Sequence, residues 1–461
     1  MARPFKVAKV SGSPKFHPRS YQADGIKFIL ENPHCGLFYP PGLGKTATTL
    51  AAFKVLKDGG YVDKMFIIAP LRVCHMVWPA EVKDWLDFEH LSVGVLHGAK
   101  KDQVLNEDHD IYVMNPEGIK WLEANQKIFI KERWVLTLDE STLWKNATSQ
   151  RFKKLKKMIH HFDRRLLLTG TPVPRGLINL WSQLFLLDGG RRLGKYITGF
   201  RNKYFYPTGY MGYDYQLQDG AEDKIYGAIE DVILHKSLDE LDLPERSYNT
   251  IKVRLPAAAM AVYEDMRKEM VAWLAEQGEL LTAMSAATVT GKLKQISNGG
   301  TYLPDGSVAH LHDAKTEAVQ ELVESLGGRP LLVLYEYKHD LARLQAAFPD
   351  APHIGGGVGT KKSAAICDDW NRSNLTVLLA QVQSLSHGLN LQKGTCQDVC
   401  WYSITYDREL YDQANARVWR QGVKNAVVVH HVVAEDTIDK AIMGLLKKKG
   451  KVQDALLHYL L

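Results

Sequence analysis

The chain has 461 residues, 45% of them hydrophobic and 24% charged, and 58 Lys+Arg against 52 Asp+Glu leave a formal charge of +6. This is the composition of a globular chain with apolar material for more than one core. No apolar run reaches the ~18 residues that a bilayer span needs, and the basic start, Met1 to Lys15, lacks the apolar core and cleavage site of a secretory leader. The five cysteines are scattered and odd in number, so they read as reduced intracellular thiols, with no disulfide framework.

In chain order, an apolar segment at Leu37-Phe38 runs into a Pro/Gly loop, and Gly44-Lys45-Thr46 opens a helix over Ala47 to Leu56. Short apolar runs follow at Met65 to Ala69, Trp134 to Leu138 and Leu166 to Thr169. From Leu177 to Ala309 the chain reads as mostly helical and polar, with breakers at Gly209, Gly212 and Gly220. Within that stretch Pro256 to Asn298 reads as long helix, broken near Gly278 and again around Thr288 to Gly291. Apolar runs resume at Leu331 to Tyr335, Thr376 to Ala380, Asp398 to Tyr402 and Val427 to Val433, and a basic helix with Lys447, Lys448, Lys449 and Lys451 closes the chain. Continuous apolar strands between helices indicate parallel sheets covered on both faces. The expectation is an α/β protein of two lobes, 1–235 and 236–461, with helical protrusions between them.

Two segments carry chemistry together. In Tyr39-Pro40-Pro41-Gly42-Leu43-Gly44-Lys45-Thr46 the glycines let backbone N–H groups curl around phosphate oxygens. Lys45 reaches the β- and γ-phosphates of a nucleotide, and the Thr46 hydroxyl is a ligand for Mg²⁺. Tyr39 stands where such loops usually open with Gly. The strand Val135 to Leu138 ends in Asp139-Glu140-Ser141. Asp139 is placed to hold Mg²⁺, and Glu140 to orient and deprotonate the attacking water. Either segment alone has a bland reading as a helix cap; together they read as an ATPase. A third feature, eight Lys/Arg against the single acid Asp163 over residues 145 to 165, reads as a solvated helix face or as a stripe that tracks a phosphate backbone.

With these motifs in order, the chain resembles the Swi/Snf-type DNA translocases of helicase superfamily II, over about His17 to Leu457. His17 to Gln22 resembles the adenine-reading segment, which places Gln22 on the base. Ile67 to Leu71 with Trp78 resembles the first backbone-contacting motif. Asp139-Glu140-Ser141 with Lys145-Asn146 resembles the acid box, and Leu168 to Pro172 the coupling motif after it. Lys292 to Gly299 resembles an Arg-rich helix of the second lobe. Ser384 to Leu391 resembles a segment that touches DNA and nucleotide, and Gln413 to Gly422 the arginine motif. Val423, His235-Lys236 and Ser141 depart from the family's usual residues. The resemblance implies two RecA-like lobes with ATP and Mg²⁺ between them. It assigns Gln22, Gly42, Gly44, Lys45, Thr46 and Gly388 to the nucleotide, Thr46 and Asp139 to the metal, and Asn115, Thr169, Thr171 and Asn390 to DNA. Arg417 and Arg420, three apart, share a helix face with Gln413 and complete catalysis by Lys45, Asp139 and Glu140. The expected function is a DNA-dependent ATPase moving along double-stranded DNA as a monomer, with unknown protein partners and no membrane. The alternatives are a strand-separating helicase on DNA or RNA and a nucleotide-switched DNA clamp. His75, Trp78 and Trp419 are candidate stacking aromatics, with Trp419 read foremost as packed.

Overall fold

The computed structural model describes residues 13–170, 176–208, 214–237, 243–276, 283–385, 389–420, 423 and 425–447. Thr171, Gly209, Gly212, Gly388, Lys448, Lys449 and Lys451 lie outside them. The chain divides into two compact units, Met1–Pro207 with Tyr215–Glu240, and Thr208–Asp214 with Leu241–Leu461.

The first unit is built on a parallel sheet. Its strands are β1 (His34–Phe38), β2 (Lys64–Ile68), β3 (Val93–Leu96), β4 (Ile111–Met114), β5 (Trp134–Asp139), β6 (Arg164–Thr169) and, after a short ribbon of β7 (Phe205–Thr208) and β8 (Asp214–Leu217), β9 (Ile233–His235). Their order is β3-β4-β2-β5-β6-β1-β9, and every pairing is parallel. β5 is buried at all six positions and β4 at all four, so these strands need apolar side chains on both faces. Phe66, Ile68, Leu136 and Leu138 from one face join Trp134, Trp144, Phe152 and Trp181 in a single core.

The second unit repeats the plan with β10 (Arg246–Val253), β13 (Leu331–Tyr335), β14 (His353–Ile354), β15 (Val377–Gln381), β16 (Asp398–Trp401) and β17 (Val427–Ala434), while β11 (Gly300–Tyr302) and β12 (Val308–His310) form a separate hairpin. The order is β10-β17-β16-β13-β15-β14, again parallel throughout. Among the described residues, no helix is long and apolar enough to cross a membrane.

Three expectations need correction. The stretch Leu177 to Ala309 is not mostly helical: it also contributes β9 and the eight-residue β10. Both are edge strands of their sheets, and β10 carries polar residues that stay largely exposed, so its sequence shows no apolar run. The second break in the long helix is absent. Ala283–Ser297 is one helix through Thr288 and Gly291, with Thr290, Leu293 and Ile296 buried at helical spacing, and that burial outweighs the low helix propensity of Thr and Gly. The third correction concerns the arginines: the helix Arg408–Asn415 stops before them.

Candidate active site

In the first unit the sheet order brings the two chemical segments together. β1 lies beside β6, and β6 beside β5. Phe38, at the end of β1, is in register with Thr169, and Asp139, at the end of β5, is in register with Leu168. The C-terminal edges of three neighbouring strands thus present the Tyr39–Lys45 loop, Thr169-Gly170 and Asp139-Glu140 side by side, the edge at which parallel α/β sheets bind ligands.

The loop needs its glycines. Gly42 (φ 97°) and Gly44 (φ 65°) both have left-handed backbone, and Gly44 caps the helix Lys45–Asp58. A Cβ on Gly44 would also lie 2.5 Å from Gln22 Nε2, so the Gln22 side chain rests against the loop. Gln22 is buried, and its Oε1 accepts the Arg19 N–H at 3.0 Å. Gly170 meets the loop from the other side: a Cβ there would lie 2.8 Å from Pro41 Cδ. Lys45 Nζ donates to the Tyr39 carbonyl at 2.7 Å. Thr46, half-buried, follows in the first turn of the helix, whose N-terminal N–H groups favour an anion.

Asp139 is buried and accepts from Trp78 Nε1 at 3.0 Å. Burial, with Glu140 beside it, pushes its carboxyl up to about 6, against the pull of Lys45 and the Trp78 hydrogen bond. Glu140 stands in the left-handed region (φ 52°, ψ 63°), rare for a non-glycine residue. Its Oε2 is buried with no hydrogen-bond partner among the described residues. Backbone strain and an unsatisfied carboxylate oxygen thus coincide at one residue. Ser141 Oγ donates to Gln183 Oε1 at 2.7 Å, which ties the acid box to the helix Leu180–Asp188. The contacts made by Trp78, Gly170 and Gln183 carry no signal in the sequence, because each joins positions far apart in the chain.

These donors fit a nucleotide with Mg²⁺. A glycine loop, a lysine and a helix N-terminus are suited to phosphates, and the Thr46 hydroxyl with the Asp139 carboxylate, costly when bare, is suited to a hard cation. The cost sets a pH dependence. Asp139 is protonated more readily in the fold (about 6) than in the open chain (3.8). Its contribution to stability is therefore full below 3.8 and lost as pH rises through about 6, a difference on the order of 3 kcal/mol. Without nucleotide, Asp139→Asn is expected to melt higher than wild type at pH 7.5, with the gap closing toward pH 4. Melting curves across that range check this, and a gap that does not change with pH would refute it.

In the second unit, Arg417 and Arg420 stand in a turn beyond the helix Arg408–Asn415. There the Arg417 N–H reaches three residues back to Ala414 O at 3.1 Å and the Val418 N–H to Asn415 O at 3.2 Å, while the Trp419 N–H keeps the helical reach to Asn415 O at 2.9 Å. The Arg417 carbonyl accepts the Leu391 N–H at 3.2 Å, and the regular helix ends before the two arginines. Both arginines nonetheless meet one segment. Arg417 Nη1 donates to the Leu389 carbonyl at 3.2 Å, and Arg420 Nη1 to Asn390 Oδ1 at 2.5 Å. Asn371 Nδ2 and Trp370 Nε1 hold the same segment through the Asn390 and Leu391 carbonyls, at 2.8 and 3.1 Å.

The remaining candidates are dispersed. Asn115 follows β4, is buried, and donates to Glu117 Oε2 at 2.5 Å. Thr169 is fully buried at the end of β6. Trp78 is buried against Asp139 and is no stacking platform. Exposed His75 stands edge-on to His97 at 5.1 Å. Of the eight basic residues over 145 to 165, Arg164 donates to the Ile29 and Leu30 carbonyls, Arg165 to the His34 ring at 3.1 Å, and Lys154 pairs with Glu123. These three serve the fold, while Lys153 and Lys157 are exposed on the helix Gln150–Met158.

The SNF2-related domain family matches residues 21–301, more than half of the chain. Protein p41 of Acyrthosiphon pisum secondary endosymbiont phage 1 is 33% identical over 96% of this chain and 98% of its own length. YwqA of Bacillus subtilis, named as a candidate ATP-dependent helicase/translocase, is 24% identical over 98% of this chain and 50% of its own. This chain thus spans nearly all of the phage protein but half or less of the larger relatives, such as 40% of mouse ZRANB3, a DNA annealing helicase and endonuclease at 23% identity. Among solved structures, the Sulfolobus solfataricus SWI2/SNF2 ATPase core in complex with dsDNA aligns over 98% of this chain and 95% of that chain, at 21% identity and a TM-score of 0.45. The chain belongs to the SNF2-related family, and is a nucleic-acid-dependent ATPase built on two parallel-sheet α/β units.

Proposed function

We propose that this ATPase is a motor that moves along double-stranded DNA without separating the strands, and that it remodels DNA or strips protein from it. The observation that carries the catalytic part is the placement of the phosphate loop and the Asp139-Glu140 pair at the C-terminal ends of β1 and β5, on either side of β6. Lys45 and the loop N–H groups bind the phosphates, and Gln22 contacts the base. Thr46 and Asp139 hold Mg²⁺, which when bound neutralises charge on the β- and γ-phosphates. Glu140 takes the proton of the attacking water through its unsatisfied carboxylate. Arg417 and Arg420 stabilise the charge that develops in transfer.

The duplex preference is supported by the family and by relatives named for translocation and strand annealing. Physical economy agrees with it: following a phosphate lattice requires no unstacking, which costs about 1.4 kcal/mol per base-pair step. Asn115, Thr171 and Asn390 are the proposed backbone contacts, while Thr169, fully buried, is not among them, and the chain acts as a monomer. With ATP, the protein is expected to displace the third strand of a triplex on a long duplex and to leave a forked duplex paired. Fork unwinding without triplex displacement would make it a strand-separating helicase. Failure of both, with DNA-stimulated hydrolysis intact, would make it a nucleotide-switched clamp.

A further inference from the structure

Trp419 sits between Arg417 and Arg420 in the chain, and its surroundings are built from the first residues of the second unit. Its Nε1 donates to the Pro244 carbonyl at 2.9 Å, and the Arg246 guanidinium lies 4.0 Å from its ring centre. The same guanidinium lies 5.3 Å from the Tyr248 ring, so Arg246 is shared between two aromatics. Behind Tyr248 the rings continue inward: Tyr248 stacks on His431 (6.1 Å, 25°), His431 on Tyr411 (5.8 Å, 17°), and Tyr411 on buried Trp401 (4.9 Å, 25°). Trp401 Nε1 in turn donates to Asn415 Oδ1 at 3.1 Å, at the last residue of the helix before the arginine turn. The turn is therefore held at both ends, by Asn415 from the core and by Trp419 from the entry of the chain into β10. Backbone bonds from the Ala416, Arg417, Val418 and Trp419 N–H groups to the Asp412, Ala414 and Asn415 carbonyls wind this stretch into a turn, and the side-chain contacts of Trp419 fix its orientation.

We propose that Trp419 and Arg246 are positioning residues for hydrolysis: the cation over the indole, with the Pro244 carbonyl, fixes the turn that carries Arg417 and Arg420. This rests on the reading of Arg420 as a group acting in phosphoryl transfer. It makes turnover sensitive to the position of the chain at Pro244, the fourth residue of the segment Leu241–Leu461 of the second unit.

The test uses the full chain with saturating duplex, measuring kcat, the KM for ATP and duplex affinity. Arg246→Ala should lower kcat roughly three- to thirtyfold, the range of a cation–π contact, with KM and duplex affinity unchanged. Arg246→Lys keeps a cation over the ring and should restore most of the loss. Trp419→Phe keeps a ring but loses the donor to Pro244, and should fall between them. In an Arg420→Ala background, single-turnover rates should show a clearly smaller proportional loss on Arg246→Ala, because only Arg417 remains to be positioned. Equal proportional losses in both backgrounds would overturn the proposal, as would a loss confined to duplex affinity. So would a wild-type kcat for Arg246→Ala beside a crippled Arg420→Ala. If Arg420→Ala itself turns over like wild type, the reading of that arginine falls first. Melting curves separate a general loss of fold, which Arg246→Lys would not rescue selectively in kcat.

Discussion

Glu140→Gln is expected to bind ATP as wild type does and to lose turnover, by a factor on the order of 10² to 10⁴, the usual contribution of a positioned base. The substitution keeps size and acceptor oxygen but removes the proton acceptor. It also places an amide where Oε2 now has no hydrogen-bond partner among the described residues, so it costs little in stability. Lys45→Ala should behave differently, weakening nucleotide binding together with turnover, because Lys45 projects from the loop itself. Nucleotide titration beside a DNA-stimulated phosphate-release assay separates the two. Wild-type turnover by Glu140→Gln would remove it as the base, and the left-handed backbone at this residue would then be explained by the turn alone.

Arg420→Ala is expected to lower DNA-stimulated turnover by about 10³-fold, at the low end for an arginine that stabilises phosphoryl transfer. ATP binding should be close to wild type, because the phosphate loop and Gln22 belong to the other unit. Arg420→Lys should recover little, since a lysine keeps the charge but not the planar fork of donors. Asn390→Ala offers a control: it removes the acceptor of the Arg420 hydrogen bond while leaving the guanidinium, and its loss should be smaller. Near-normal turnover by Arg420→Ala would mean that hydrolysis needs only the first unit.

The phosphate loop and the acid pair are legible in the sequence because local chemistry dictates them. Gly42 and Gly44 are required by left-handed backbone, and Asp139-Glu140 directly follow a strand buried on both faces. The same holds for β2, β5, β6, β13, β15, β16 and β17, whose apolar runs carry their own signal. β10 carried none: at the sheet edge most of its side chains meet water, so its place is set by backbone pairing with β17 and by contacts such as Tyr248 on His431. The end of the helix at Asn415 was equally hidden, because bonds to Leu389, Asn390 and Leu391, about 30 residues away, hold the arginine turn. Long-range contact also separates the basic residues: Arg164 and Arg165 serve backbone and ring acceptors in β1 and the helix before it, a distinction that charge counting cannot make. The sequence by itself determined the motifs and the repeated sheet plan, since these follow from backbone conformation and apolar periodicity. Only the tertiary structure decided which carboxylate is buried against Trp78, which is left without a partner, and what fixes the arginines, because burial and hydrogen bonding belong to neighbours brought together by folding.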